Sequence, residues 1–244
     1  MTTAHGTFTW FELVTPAIDD AKTFYSETLG WKSTSSDMGG FPYTMLTAGE
    51  APQAGIVAPP QPGIPSHWTS YLGVDDVDAR AATVVEHGGK VLVPPTDIPG
   101  VGRFSLVADP QGATFNLFKG VSDQGGSTEF HWNELWAKDA EALLPFYREV
   151  LGFEVETMQM PDGAYYILEN ADGGQGGIMS SPMEGVPPMW LPYATIDDCD
   201  AAVARAERMG GSVKSTASTI EGIGRIAIIG DRSGAVLGLV TPAE

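Results

Sequence analysis

The sequence predicts an α+β fold made of two tandem domains, residues 1–120 and 128–244, each holding two βαβββ units, four in all. Three observations carry this. First, Thr9-Trp10-Phe11-Glu12-Leu13 returns as His131-Trp132-Asn133-Glu134-Leu135 at an offset of 132 − 10 = 122, and the register then holds without a gap. Phe24-Tyr25 meets Phe146-Tyr147, Tyr43 meets Tyr165, Trp68 meets Trp190, Tyr71 meets Tyr193, and Asp109 meets Asp231. An internal repeat of this kind means that both halves fold alike. Second, a weaker repeat lies inside the first half, where Asp20-Ala21 and Gly30 match Asp78-Ala79 and Gly88 at a spacing of 58 (78 − 20 and 88 − 30). Third, alternating strand patterns and helix patterns with glycine stops follow one another in the same order in each unit.

Taking the elements in order, Phe8 to Val14 alternates, with Phe8, Trp10 and Glu12 on one face and Phe11 and Leu13 on the other. After Pro16, Ile18-Asp19-Asp20-Ala21 opens a helix with acidic residues in its first turn, and Gly30 closes it. Trp31 to Ser35, Tyr43 to Thr47 and Gly55 to Val57 are short strands, separated by the turns Asp-Met-Gly-Gly and Gly-Glu-Ala-Pro. The order restarts with a strand at Trp68 to Val74 and a helix from Val77 to His87 stopped by Gly88-Gly89. Strands follow near Lys90 to Val93, Arg103 to Ala108 and Thr114 to Phe118. The Pro-rich stretch Ala58 to Pro65 links units, and the polar, glycine-rich segment at 121–127 links domains.

With 244 residues, two halves of about 120 suit ordinary domain sizes. A formal net charge of −18 argues against nucleic acid or an anionic membrane as partner and favours neutral or cationic ligands, besides keeping the chain dispersed. Cys199 has no second cysteine to pair with, the N-terminus lacks a signal-like apolar region, and no apolar run reaches the roughly 18 residues a membrane span needs. A cytoplasmic location is expected.

The ordered set of a helix ending Phe-Tyr-x-x-x-Leu-Gly-Trp, the Val74-Asp75-Asp76-Val77-Asp78-Ala79 entry to a helix ending Gly-Gly, and the turn Asp109-Pro110-Gln111-Gly112-Ala113 resembles the vicinal oxygen chelate superfamily. That superfamily includes glyoxalase I, the bleomycin-resistance proteins and the extradiol dioxygenases, and the tandem arrangement is most similar to its actinobacterial two-domain, glyoxalase-like branch. The resemblance implies mixed sheets curled into ligand-holding cups with helices on their outer faces, a role that in some members belongs to secondary metabolism, and a monomer whose two domains supply both halves of the cups. It also implies metal ligands, a His or Gln on the first strand of a unit and a Glu on the last. Here the first-strand positions carry Trp10, Thr69, Trp132 and Leu191, and the last-strand positions fall near Ile56 and Ile178 and at Asn116 and Gly238. Tryptophan and isoleucine offer a divalent ion no lone pair, so neither metal nor other cofactor is expected.

Strand parity places Trp10, Glu12, His67, Thr69, Tyr71, Thr114, Asn116 and Phe118 on cup faces, and likewise Trp132, Glu134, Trp136, Met189, Leu191 and Tyr193. Aromatic walls with a few placed polar groups suit a flat organic ligand, although aromatics also fill cores. Trp10, Tyr71, Asn116, Trp132, Trp136 and Tyr193 are the binding candidates. A glutamate inside an apolar strand needs a partner or a purpose. Glu12 and Glu134 therefore are either ion-paired with Arg103 and Arg225 or proton-transfer groups, with His67 as a third catalytic candidate. The glycine pairs lie at turns and helix ends, so no phosphate loop exists. Cys199 reads as structural, and Asp75-Asp76 and Asp197-Asp198 read as helix caps. The expectation is a metal-independent lyase, isomerase or hydrolase acting on an aromatic or carbonyl-bearing metabolite, or else a protein that sequesters a planar or cationic drug.

Overall fold

The computed structural model describes residues 5–37, 42–121, 130–160 and 163–243. Most of the expected linker at 121–127 and most of the Asp-Met-Gly-Gly turn lie outside the described residues. The first half runs β1 (Thr7–Val14), α1 (Ile18–Leu29), β2 (Lys32–Asp37), β3 (Pro42–Ala48), β4 (Ala51–Val57), β5 (His67–Gly73), α2 (Val77–Glu86), β6 (Lys90–Ile98), β7 (Gly102–Ala108) and β8 (Thr114–Gly120). The second repeats it as β9 (Phe130–Ala137), α3 (Ala140–Leu151), β10 (Glu154–Met160), β11 (Gly163–Asn170), β12 (Gly173–Ser180), β13 (Met189–Thr195), α4 (Cys199–Arg208), β14 (Ser212–Ile220), β15 (Gly224–Gly230) and β16 (Val236–Pro242). Each half forms one eight-stranded mixed sheet, ordered β2-β3-β4-β1-β5-β8-β7-β6 and β10-β11-β12-β9-β13-β16-β15-β14.

Local chemistry explains the boundaries. Gly30 and Gly152 end α1 and α3 in the left-handed region, at φ 75° and 70°, where a side chain would be strained. Asp76, Asp139 and Asp198 accept from Ala79, Ala142 and Ala201 N–H and so cap α2, α3 and α4. Strand β6 runs past Val93 through Pro94 and Pro95 to Ile98, beyond the expected stop. It lies at a sheet edge and its pairing with β7 shifts register twice, which is where a strand tolerates proline.

Packing divides the chain into two compact units, and each takes one βαβββ module from each half. One comprises Met1–Thr9, Ser70–Gly126 and Trp132–Trp190. Its core joins Leu72, Val84, Phe115 and Leu117 to Leu135, Phe146, Tyr147 and Ile178, with α2 packed on α3. A buried hydrogen-bond chain ties it: Trp190 Nε1 donates to Tyr147 Oη (3.2 Å), which donates to Asp109 Oδ2 (3.0 Å). Asp109 Oδ1 in turn accepts from the backbone N–H of Gln111, Gly112 and Ala113, which fixes the turn before β8. The other unit comprises Trp10–Thr69, Ser127–His131 and Leu191–Glu244. There α1 packs on α4, Phe11 stacks on Phe130 at 4.1 Å, and the same chain recurs from Trp68 Nε1 to Tyr25 Oη (2.9 Å) to Asp231 Oδ2 (3.2 Å).

Candidate functional site

The site begins with strand parity. On β1, Phe11 and Leu13 point into the core, at 3% and 0% exposure, while Trp10 and Glu12 take the opposite face. Strand β4 runs parallel to β1 with Glu12 opposite Gly55 and Leu13 opposite Ile56. Ile56 is wholly buried and so turned toward the core, which puts Gly55 on the same face as the glutamate. From β3, Tyr43 reaches across this glycine. A Cβ on Gly55 would fall inside the Tyr43 phenol oxygen, so only glycine lets the ring lie there.

Three side chains then meet in fixed order. Trp10 Nε1 donates to Tyr43 Oη at 2.9 Å, and Tyr43 Oη donates to Glu12 Oε1 at 2.9 Å. An indole N–H can only donate, so the phenol accepts from it and sends its own proton toward the carboxylate. Burial, and after it the charge of Glu12, pushes the Tyr43 phenol well above its ordinary value, so the phenol stays neutral.

The second half builds the same arrangement. Trp132 Nε1 donates to Tyr165 Oη at 2.7 Å, Tyr165 Oη donates to Glu134 Oε2 at 3.0 Å, and Gly177 stands opposite Glu134 with no room for a Cβ beside the phenol. Burial and then Glu134 raise the Tyr165 phenol likewise. One element is added: Trp136 Nε1 donates to Glu134 Oε1 at 2.7 Å, at the position held by Val14 in the first half.

Among the expected site residues, then, Trp10 and Glu12 meet, as do Trp132, Glu134 and Trp136. Tyr71 stands opposite Asn116 in the β5–β8 register, edge-on to Phe118, and Asn116 Nδ2 donates to Ser70 O at 3.4 Å. The Tyr193 ring lies over Gly238. His67 bonds through Nδ1 to the Pro65 carbonyl at 2.8 Å. Of the two alternatives left open for Glu12 and Glu134, pairing with Arg103 and Arg225 is not what these arginines do. Arg103 forks onto Asp78 (2.7 and 2.8 Å) and reaches Asp97 (2.8 Å), while Arg225 forks onto Asp200. Each arginine holds a carboxylate in the first turn of the helix of its own module, α2 or α4. Tyr43, Tyr165, Gly55 and Gly177 were not among the expected site residues. All four obey the 122 offset (165 − 43 and 177 − 55), which is the signal that could have found them.

The metal of the resembling family does not fit these side chains. At the first-strand positions the Trp10 and Trp132 indoles are donors already engaged by phenols, and the last-strand Ile56 and Ile178 are buried hydrocarbon. Among the described residues no three His, Cys, Asp or Glu side chains gather as a ligand set.

Four βαβββ modules in two eight-stranded mixed sheets, with polar and aromatic groups on the face away from the helices, define a two-domain protein of the paired-module type. The chain belongs to the Glyoxalase/Bleomycin resistance protein/Dioxygenase superfamily, whose family model matches residues 7–117 and 129–239. It is 36% identical over 249 residues to "Putative glyoxylase CFP32" of Mycobacterium tuberculosis, covering 98% of this chain and 95% of that protein. It is 30% identical over 235 residues to the anthracycline biosynthesis protein DauV of a Streptomyces species, covering 87% of this chain and 85% of that one. Among solved structures, the Mn(II)-bound glyoxalase from Novosphingobium aromaticivorans superposes with a TM-score of 0.68 at 17% identity, covering 99% of this chain and 84% of that one. At that identity the likeness is one of fold. Among the described residues no helix is long and apolar enough to cross a membrane.

Proposed function

We propose that the chain is a glyoxalase-like enzyme that acts on a small aromatic or carbonyl-bearing substrate without the family's usual metal, with Glu12 and Glu134 moving protons. The observation that supports this is the indole–phenol–carboxylate chain, built twice on the first-strand positions that would otherwise carry metal ligands. The phenol orients one carboxylate oxygen, which positions the carboxylate to act as a base. In this reading a carboxylate oxygen takes a proton from an acidic C–H or O–H of the substrate and returns it at a neighbouring atom, with no change of oxidation state. Trp10, Trp132 and Trp136 provide flat walls, and Tyr71, Asn116 and Tyr193 provide further polar and aromatic lining. A substrate from secondary metabolism agrees with the name of the DauV relative.

Glu12→Gln and Glu134→Gln test the reading. At least one should lose about 10²–10⁴ of turnover in a screen of aromatic ketones and hydroxyquinones, the range a general base supplies, with folding retained. Elemental analysis of the purified protein should find no stoichiometric Zn, Ni, Fe or Mn, and about one such ion per chain would overturn the metal-free mechanism. A second reading, ligand sequestration without chemistry, is favoured by Glu134. Fixed donors occupy both of its oxygens, which suits holding a ligand better than exchanging protons. Under that reading both Gln variants change affinity, and no compound in the screen is turned over.

A further inference from the structure

The two halves differ at one corner of the repeat. In the first half Thr15, just after β1, shares a 2.8 Å hydrogen bond with Ser66, just before β5, and its Oγ1 lies 3.5 Å from Ser233 Oγ. At the matching positions, 122 residues on for Thr15 and Ser66 and 122 back for Ser233, stand Ala137, Pro188 and Gln111. Ala137 and Pro188 carry no hydroxyl, so the loop 181–188 lacks that tie to the end of β9. Between this loop and the carboxyl ends of the parallel strands β9 and β12 lies an open groove of about 700 Å³. Small-molecule sites span roughly 300–1,000 Å³. Met183, Val186, Pro187 and Pro188 give it an apolar wall, and Lys138, where the first half has Pro16, is the one charged residue lining it. Among the described residues no acid pairs with the Lys138 ammonium, and Glu184, although in the loop, does not line the groove. The backbone beneath the lysine is fixed. Gln111 Nε2 donates to the Asp139 carbonyl at 2.6 Å, and its Oε1 accepts from the N–H of Lys138 (2.7 Å) and of Asp139 (3.1 Å). The Asp139 carboxylate is itself spent on the Ala142 N–H as the cap of α3. The geometry points to a site for a small amphipathic organic anion, with its apolar body against Met183, Val186 and the prolines and its carboxylate or sulfonate against Lys138. The net charge of −18 opposes an anion from afar, but salt screens such charges beyond about 8 Å, so the contact with the ammonium decides. Ala137 is buried on the face of β9 opposite to Glu134, so this groove and the carboxylate site stand or fall separately.

The test titrates the full chain with 8-anilinonaphthalene-1-sulfonate and with its uncharged counterpart N-phenyl-1-naphthylamine, each followed by its own fluorescence. The sulfonate should bind saturably. Lys138→Gln should weaken it roughly threefold to fivefold, what one partly exposed ion pair supplies, and leave the uncharged probe within about twofold. Ala137→Thr/Pro188→Ser installs the hydroxyl pair of the first half and should weaken both probes roughly tenfold, with circular dichroism unchanged, because the tied loop closes on the groove. Val186→Glu, a change on the loop alone, covers the case in which the paired substitution does not fold, and should cost the sulfonate more than the uncharged probe. Four results overturn the site: no saturable binding of the sulfonate, sulfonate binding that Lys138→Gln leaves unchanged, equal loss of both probes in that variant, or binding that neither loop variant weakens, which places the probe elsewhere on the chain.

Discussion

At the scale of single residues, the positions with the sharpest consequences are two glycines. Gly55→Ala or Gly177→Ala places a methyl where the phenol oxygen of Tyr43 or Tyr165 lies, so the ring must leave the position from which it bonds the glutamate. Overpacking of this kind typically costs about 1–3 kcal/mol. Urea unfolding should show that loss, together with weakened binding of any ligand seated on the carboxylate. An alanine variant of unchanged stability and binding would mean that the phenol has another seat. Cys199 is the contrasting case. It is buried at the start of α4, and burial, then the Asp200 charge, pushes its thiol from 9.0 up to about 11. A raised folded-state value means that the contribution of this group to stability is complete below about pH 9 and is lost as pH climbs through about 11. At neutral pH almost no thiolate exists, so an aromatic disulfide reagent should label Cys199 only as fast as the chain opens. Rapid stoichiometric labelling of the native protein at pH 7 would contradict this.

At the scale of elements, the charged staples and the buried ties should differ in strength. Arg103 and its Asp78 and Asp97 partners are solvent-exposed, so Arg103→Gln should cost little stability and should matter less at high salt. Tyr147→Phe strips one bond from the buried Asp109 and one from Trp190, and an unsatisfied buried polar group typically costs about 1–3 kcal/mol. Thermal melts of the two variants should rank in that order, and the reverse ranking would mean that the staples dominate. The same elements show how far the sequence could be read. The order β-α-β-β-β, the caps Asp76 and Asp198 and the shared face of Trp10 and Glu12, opposite Phe11 and Leu13, follow from short-range periodicity and turn chemistry, which are local. The partners of the carboxylates do not. Arg103 and Asp78 are 25 residues apart and Tyr43 and Glu12 are 31 apart. Which cation or hydroxyl reaches which acid depends on sheet register, and register is set by packing across several strands rather than by the residues adjoining each acid. The run of β6 on through Pro94 and Pro95 is non-local in the same way, since the penalty for proline in a strand depends on whether the strand is an edge.

At the scale of the whole molecule, the sequence repeat and the packing divide the chain differently. The two eight-stranded sheets follow the halves of the sequence, whereas each compact unit joins one module from each half. In the unit containing α2 and α3, one core joins Val84, Phe115 and Leu117 to Leu135, Phe146 and Tyr147, and Arg80 donates to the Val150 carbonyl at 3.3 Å. In the other, Tyr25 of the first half finds its acceptor on Asp231 of the second, and Arg205 donates to the Thr28 carbonyl at 2.9 Å. Each fully buried large side chain withheld from such a core forfeits roughly 1.5–3 kcal/mol, and a domain's net stability is only about 5–15 kcal/mol. A polypeptide of residues 1–121 expressed alone therefore exposes the apolar faces of both α1 and α2, and one of residues 130–244 exposes those of α3 and α4. Neither should show a cooperative thermal transition as a monomer. Mixed or co-expressed, the two should form a one-to-one complex that regains such a transition, because every tie named above is then restored without a covalent link. Self-association of one half would obey the same logic, a second copy standing in for the missing modules. A monomeric half that unfolds cooperatively, measured by calorimetry alongside sedimentation, would show that the sheet of one half suffices and that the joined cores are dispensable.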